Sequence, residues 1–577
     1  MNSMNSLKTT QTKPKTILLK KITLFIVFFH FLPTSYGQII DGLSIGFESN
    51  SAWYNDDKKT GDFTDEANND QDKHFRANNY LKIDYNFLSK FTASVQIESY
   101  EPFALINYST NFEGTNLGTY SLHYKTVNLG ATIGHFYEQF GSGLILRNWE
   151  DRQLGINNAL FGGKVSYRLM DVVDLTALYG NHRVGFETSD GTIFGFNSEF
   201  ELDSIFKWDE TALNIGFSYV GREEKIDLEN PNFEPITDAF SGRIDFSYRN
   251  FYSSVEYVTK SEDAIVQVNQ ISNDFIKPGN GFLLNTGYSK KGFGLDATFR
   301  RLENMSFYSD RKKSGNVFFE NIINYTPGLT KQHDYLLTNI FVYQAQSAVS
   351  FLDPGLLKVG EIGGQLDLFY NLKKETLLGG KYGTKVAFNA SYWAGLKGAF
   401  DYANQDYETD VFGFGEKYFS DISLEIRKKW NPKWRSIFYF VNQYYNKKEV
   451  EGIFGAKPIA TNIGVVESTH KLGKGKSIRI EAQRLWSDTQ DHDWIGGTFE
   501  FNLSSKISFY INDIYNNGND TSTAKTHYYN MGGSYNKGAT RIGLNYGRQR
   551  AGLVCVGGVC RFVPEATGLT ASITMAF

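Results

Sequence analysis

Residues 135 to 163, HFYEQFGSGLILRNWEDRQLGINNALFGG, hold the densest mixture of charge, glycine and apolar side chains in the chain. Arg147, Glu150, Asp151 and Arg152 lie within one short span, bounded by Gly141, Gly143, Gly155, Gly162 and Gly163. Two guanidiniums and two carboxylates so placed suit either of two tasks. They can line a constriction and select solutes by sign and size, or pair with one another and hold a folded loop against a wall. Cys555 and Cys560, the only two cysteines, flank Gly557-Gly558. A Gly-Gly hairpin turn tolerates positive φ, sets Cys555 opposite Cys560 and brings them within disulfide reach in an oxidising compartment.

Other polar clusters point to no reaction. Asp56, Asp57, Asp62, Asp65, Glu66, Asp70 and Asp72 crowd the span from Asn55 to Lys73, but their spacing matches no EF-hand and reads as a solvated loop. Asp491-His492-Asp493 beside Trp494 has no partner motif and reads as a loop too. Gly141-Ser142-Gly143 lacks the Gly-x-Ser-x-Gly spacing of a nucleophile elbow, and the nine histidines form no local set with a nucleophile. The expectation is therefore no catalytic set, no metal site, no cofactor and no enzyme.

The elements that position these residues repeat one code. Leu81, Ile83, Tyr85 and Phe87 alternate with polar residues, Leu88-Ser89-Lys90 turns, and Phe91, Ala93, Val95 and Ile97 alternate again. Period two gives each strand one apolar and one polar face. The same code surrounds Arg249-Asn250, Lys290-Lys291-Gly292, Lys373-Lys374, Trp430 to Lys433, Gly473-Lys474-Gly475, Ser504-Ser505-Lys506 and Asn536-Lys537-Gly538. Longer connections lie between, as at Asn55 to Lys73, Glu303 to Gly315 and Asn516 to Lys525. Tight turns at one end, long loops at the other, strands of about ten residues and aromatics beside the turns are the layout of an outer-membrane β-barrel. No apolar run after Leu32 has the length of a spanning helix, so a bilayer could be crossed only by a closed barrel. The reading is a large antiparallel transmembrane barrel of about 26 strands, within about 22 to 26, with an inward-folded loop as one way to fill so wide a lumen.

The carboxyl terminus carries the sharpest local signal. Leu569, Ala571, Ile573, Met575 and Phe577 alternate with Gly568, Thr570, Ser572, Thr574 and Ala576 to the last residue. An amphipathic strand ending on phenylalanine looks like the signal by which barrel-assembly machinery recognises its clients. At the amino end, Lys8, Lys13, Lys15, Lys20 and Lys21 precede an apolar run from Ile22 to Leu32, and Ser35-Tyr36-Gly37 follows. Residues 1–37 read as a secretory signal peptide and 38–577 as one barrel domain. Aromatic residues make up 16% of the 577 and there are only 11 prolines, which suits strands and excludes a disordered chain. A net charge of −4 removes the electrostatic case for nucleic acid.

The chain resembles a family of uncharacterised Bacteroidota outer-membrane barrels. The resemblance rests on Tyr137-Glu138-Gln139-Phe140-Gly141-Ser142-Gly143-Leu144, on Gly379-Gly380-Lys381-Tyr382-Gly383-Thr384 and on Cys560-Arg561-Phe562-Val563-Pro564. It implies the fold and the outer-membrane location and assigns no activity to any residue. The functional expectation is a channel or transport barrel for an unidentified solute, the alternative a non-conducting docking component of an envelope secretion or assembly complex. Its expected partners are outer-membrane lipid, the barrel-assembly machinery and other envelope proteins. Lysines recur at the tight turns and suit anionic headgroups of the inner leaflet.

Overall fold

The computed structural model describes residues 40–577 except 61–73, 107–109, 226–231, 268–269, 312–320, 346–359, 402, 405, 488, 490–492 and 522–523. The signal-peptide reading and most of the acidic span after Asn55 therefore lie outside the described residues. So do Asp491 and His492.

Twenty-four strands form one antiparallel sheet in which each pairs with its sequence neighbours. The sheet closes where the first strand, Leu43–Asn55, pairs with the last, Ala566–Ala576, from Gly46 opposite Ala576 to Asn55 opposite Thr567. This is two strands fewer than the best count from sequence and within its range. The difference arises after Glu303, where the described residues before strand Gly360–Leu372 add no strand to the wall. Every tight turn of the repeated strand code lies at one end of the barrel, the turn end, and the long connections named with them lie at the other, the loop end. Leu88 and Ser89, at φ 50° and 56°, show how sharply the first of these hairpins reverses.

Alternation holds around the wall. Along strand Thr211–Glu223, Phe217 is 56% exposed while its neighbours Gly216 and Ser218 are buried. Large apolar side chains such as Ile133, Tyr179, Phe240, Ile422, Phe440 and Ile480 stand exposed on the outer face. In water so much bare apolar surface would be costly, and lipid removes that cost. Aromatic pairs ring the turn end on the same face: Phe87 stacks on Phe91 and Phe91 packs on Tyr124, Phe293 meets Tyr288 and Tyr370, and Trp430 meets Trp434. A closed wall with an apolar exterior and an aromatic girdle satisfies its backbone internally and fits a bilayer. The protein is a multi-pass outer-membrane β-barrel.

Candidate functional site: a plugged lumen

At the turn end the inner face follows the expected polar pattern. Nearer the loop end it becomes apolar. Leu178, Ile193, Val220, Ala239, Val258, Leu283 and Leu302 come from seven successive strands and form one buried cluster. Trp393, Phe419, Val441, Ile463, Leu485, Trp494 and Ile514 come from another seven and form a second. By register these residues point into the lumen, so the inner face of these strands is apolar at that level. An open aqueous pore would not carry such a belt.

Loop-end connections fold inward and cover it. Phe140, Leu144, Ile145 and Leu146, from the connection between strands Leu129–Phe136 and Leu160–Leu169, pack into the first cluster with Met305, Phe307 and Ile323. Tyr335, Leu337, Phe341 and Tyr343 pack into the second. The two segments are joined by backbone: Arg147 N–H donates to Ile323 O at 2.8 Å and Tyr325 N–H to Gly143 O at 2.8 Å. A third segment, the hairpin of Gly552–Val556 and Val559–Val563, meets them where Gly328 N–H donates to Gly558 O at 2.7 Å and Tyr325 Oη to Gly557 O at 2.7 Å. Leu154, Ile156 and Val559 fill the space between, with Trp149, Tyr325 and Val556 against them.

The hairpin has the geometry its glycines allow. Gly557 and Gly558 lie at φ 59° and 83°, Cys555 pairs with Cys560 in register, and the two form a disulfide with Cα atoms 4.0 Å apart. Glycine is needed equally in the turn of the first segment. Gly143 lies at φ +94°, where a Cβ would come within 3.3 Å of those of Arg147 and Tyr325, and at Gly141, φ +55°, a Cβ would lie 2.4 Å from Arg243 Cδ. The distinctive run Tyr137 to Leu144 is thus the tight turn that wedges the plug against the wall. Ser142 N–H donates to the Glu256 carboxylate at 3.0 Å.

Buried ion pairs fasten plug to wall. Arg311 pairs with Glu224 at 2.8 Å and with Asp263, which also holds Arg222 at 3.0 Å, all at most 5% exposed. Arg300 pairs with Glu361 at 2.5 Å and donates to Pro327 O, while Tyr343 Oη donates to Glu361 at 2.6 Å. The four charged candidates belong to this plug. Arg152 pairs with Glu48 on the first strand at 2.6 Å and with Glu150 at 3.1 Å, donates to Gln96, and lies 4.2 Å from the Tyr80 ring centre. Burial pulls its guanidinium down, but Glu150 and Glu48 outweigh that and hold it above its ordinary value. Arg147 is stacked 3.8 Å over the Tyr325 ring, and Asp151 accepts from Leu154 N–H at 2.9 Å. Burial raises the Tyr325 hydroxyl despite nearby Arg147.

The carboxyl-terminal set lies on the closing strand, with Leu569 and Phe577 exposed on the outer face and Met575 buried. Of the remaining candidates, Asp57 pairs with Arg548 at 2.6 Å and Asp493 with Arg484 at 3.1 Å. The segment 321–343 was the part of the site least visible from sequence. Its signal is a lack of alternation: Asn321 and Asn324, fully buried, and Pro327-Gly328 interrupt any two-residue period.

A family model described as a family of unknown function (DUF6029) matches residues 18–577. No curated protein matches the chain. Among solved structures, the translocation pore of the P pilus usher PapC aligns with a TM-score of 0.44 at 9% identity, over 92% of this chain and 99% of that one. The siderophore receptor PirA from Pseudomonas aeruginosa aligns with a TM-score of 0.40 at 7% identity, over 94% and 81%. A BenF-like porin from Pseudomonas fluorescens Pf-5 gives 0.34 at 7%, over 93% and 97%.

Proposed function

We propose that this chain, which belongs to the DUF6029 family of unknown function, is a gated transport barrel, closed at rest by its own loops. The observation that carries this reading is the apolar belt inside the wall, gripped by inward-folded segments. A barrel of 24 strands encloses far more space than its inward side chains fill, and here chain from the loop end occupies it. The plug is sewn from separate connections joined by a few backbone hydrogen bonds and the Arg147–Tyr325–Trp149 stack. Such a seam is the place for the segments to part while the wall stays intact.

Planar-bilayer recording of the refolded protein tests this. Wild type opens rarely, and a variant whose residues 139–157 are replaced by a short glycine-serine link gives large, lasting steps. Arg147→Glu/Arg152→Glu opens more often than wild type, because it removes the ring stack and the pair with Glu48. A wild type that never opens at any voltage would turn the reading to the docking alternative. One feature favours that alternative: strand Asp406–Asn431 runs 26 residues, where about 9–11 suffice to span, and its loop-end part bears Val411 and Phe412 at 65% and 72% exposure. Co-purification of an envelope protein, lost on Val411→Ser/Phe412→Ser, would then identify the docking surface.

A further inference from the structure

The turn end of the barrel holds a cavity of about 840 Å³ lined by ten lysine and arginine side chains and no carboxylate. Lys373, Lys385, Arg427, Lys429, Arg435 and Lys471 approach it from neighbouring connections and strands. By register Lys385, Arg427, Lys429, Arg435 and Lys471 stand on the lumen side of their strands, the side that carries Trp393, Asp421, Val441 and Ile463 farther up. Several lumen-facing cations elsewhere are neutralised: Arg168 pairs with Asp174 and Glu201, Arg243 with Glu199 and Glu256, and Arg479 with Glu467, Glu481 and Glu500. In this cavity, among the described residues, only Arg427 has a carboxylate partner, Glu425. A chain of net charge −4 that gathers uncompensated cations in one concavity accepts their mutual repulsion there, and a bound anion relieves it.

The cavity is built, not merely charged. One side is the turn after Leu372, the run containing Gly379-Gly380-Lys381-Tyr382-Gly383-Thr384. At Gly379 a Cβ would lie 1.8 Å from Lys373 O, and Gly380 and Gly383 take φ of +64° and +86°. Lys428 Nζ ties the turn down through Gly379 O at 3.0 Å and Thr384 Oγ1 at 2.7 Å. Aromatic faces steady the ammonium groups, with Lys385 over Phe369 at 4.7 Å and Lys429 over Tyr382 at 5.9 Å. Cations held in place before binding lose less freedom when an anion arrives, and the volume suits a small-molecule ligand.

We propose that this cavity binds a phosphate-bearing anion. It opens at the turn end, below the plug, so binding is independent of whether the lumen ever opens. The chemistry is shared by a soluble phosphorylated solute and an anionic lipid headgroup, and the test separates them. Inorganic tripolyphosphate is titrated calorimetrically into the full-length protein in neutral phosphatidylcholine nanodiscs. Saturable binding that weakens with salt is expected, at least tenfold weaker in Lys429→Gln/Arg435→Gln, recovered in Lys429→Arg/Arg435→Lys, and unchanged in Lys82→Gln/Lys506→Gln. Each variant is first checked for the heat-modifiable gel shift of the folded barrel. Repeating the titration in phosphatidylglycerol nanodiscs assigns the source: unchanged affinity means a soluble anion, and loss by competition means the headgroup. Absence of binding to wild type, or equal binding by both glutamine double variants, overturns the proposal.

Discussion

The two halves of the lumen are made by the same strands yet obey opposite rules. Strand Trp434–Tyr445 puts Arg435 into the basic cavity at its turn end and Val441 into the apolar belt at its loop end, both on the inner face. Strand Lys476–Ser487 likewise carries Arg479, paired with glutamates outside that cavity, in its turn half and Leu485 in the apolar belt, both on the inner face. The difference is the neighbour each meets. Near the loop end the inner face meets folded chain, so apolar packing and dry ion pairs stabilise it. Near the turn end it meets water, so charges are half-wet or unpaired. A strand's inner face therefore has no single hydrophobic character; the contents of the lumen set it level by level.

Substitutions that exchange the two rules test this contrast. Val441→Asp buries an unpaired charge in the belt, and Asp263→Asn leaves Arg222 and Arg311 short of a shared carboxylate; each should cost about 3–5 kcal/mol. The urea midpoint of the heat-modifiable gel shift measures it. The turn-half counterparts, Ser534→Asp and Glu500→Gln beside Arg479, should each cost under about 1 kcal/mol, and equal costs in both halves would break the comparison. Next in size, Cys555→Ser/Cys560→Ser frees the hairpin that holds Gly328 and Tyr325. A loss of about 2 kcal/mol is expected, with more frequent conductance steps.

A small, pH-dependent effect concerns the loop-end edge of the wall's closing seam, where Asp57 joins Arg548 and Thr567. Burial pushes the Asp57 carboxyl up, but the Lys59 N–H, Arg548 and Thr567 together outweigh it and hold it below its ordinary value. A carboxyl depressed in the folded state contributes stability that is present above its unfolded pKa and lost as pH falls through the folded one. Asp57→Asn should therefore cost about 1 kcal/mol at neutral pH, and the gap from wild type should close as pH drops below the ordinary aspartate range. A gap that persists in acid would mean packing, not charge, holds the seam.

Much of the wall was legible in the residues. Period-two alternation, the tight turns and the terminal strand from Leu569 to Phe577 required a closed barrel, because lipid demands one apolar face and a fully bonded backbone. Gly557-Gly558 likewise placed Cys555 against Cys560, since a two-residue turn leaves one register. These are local constraints, written where they act. The plug is different. Whether Arg147, Glu150, Asp151 and Arg152 line a passage or brace a loop depended on Glu48, Gln96 and Tyr325, far away in sequence. Ile463 and Leu485 show the same dependence, for alternation reports that one face of a strand is apolar but not what covers it. By itself the sequence determined a transmembrane wall and its direction of turns. Only the tertiary structure decided that folded chain fills the loop-end half of the lumen and where its free charges gather, because both depend on contacts between chain segments that no local pattern records.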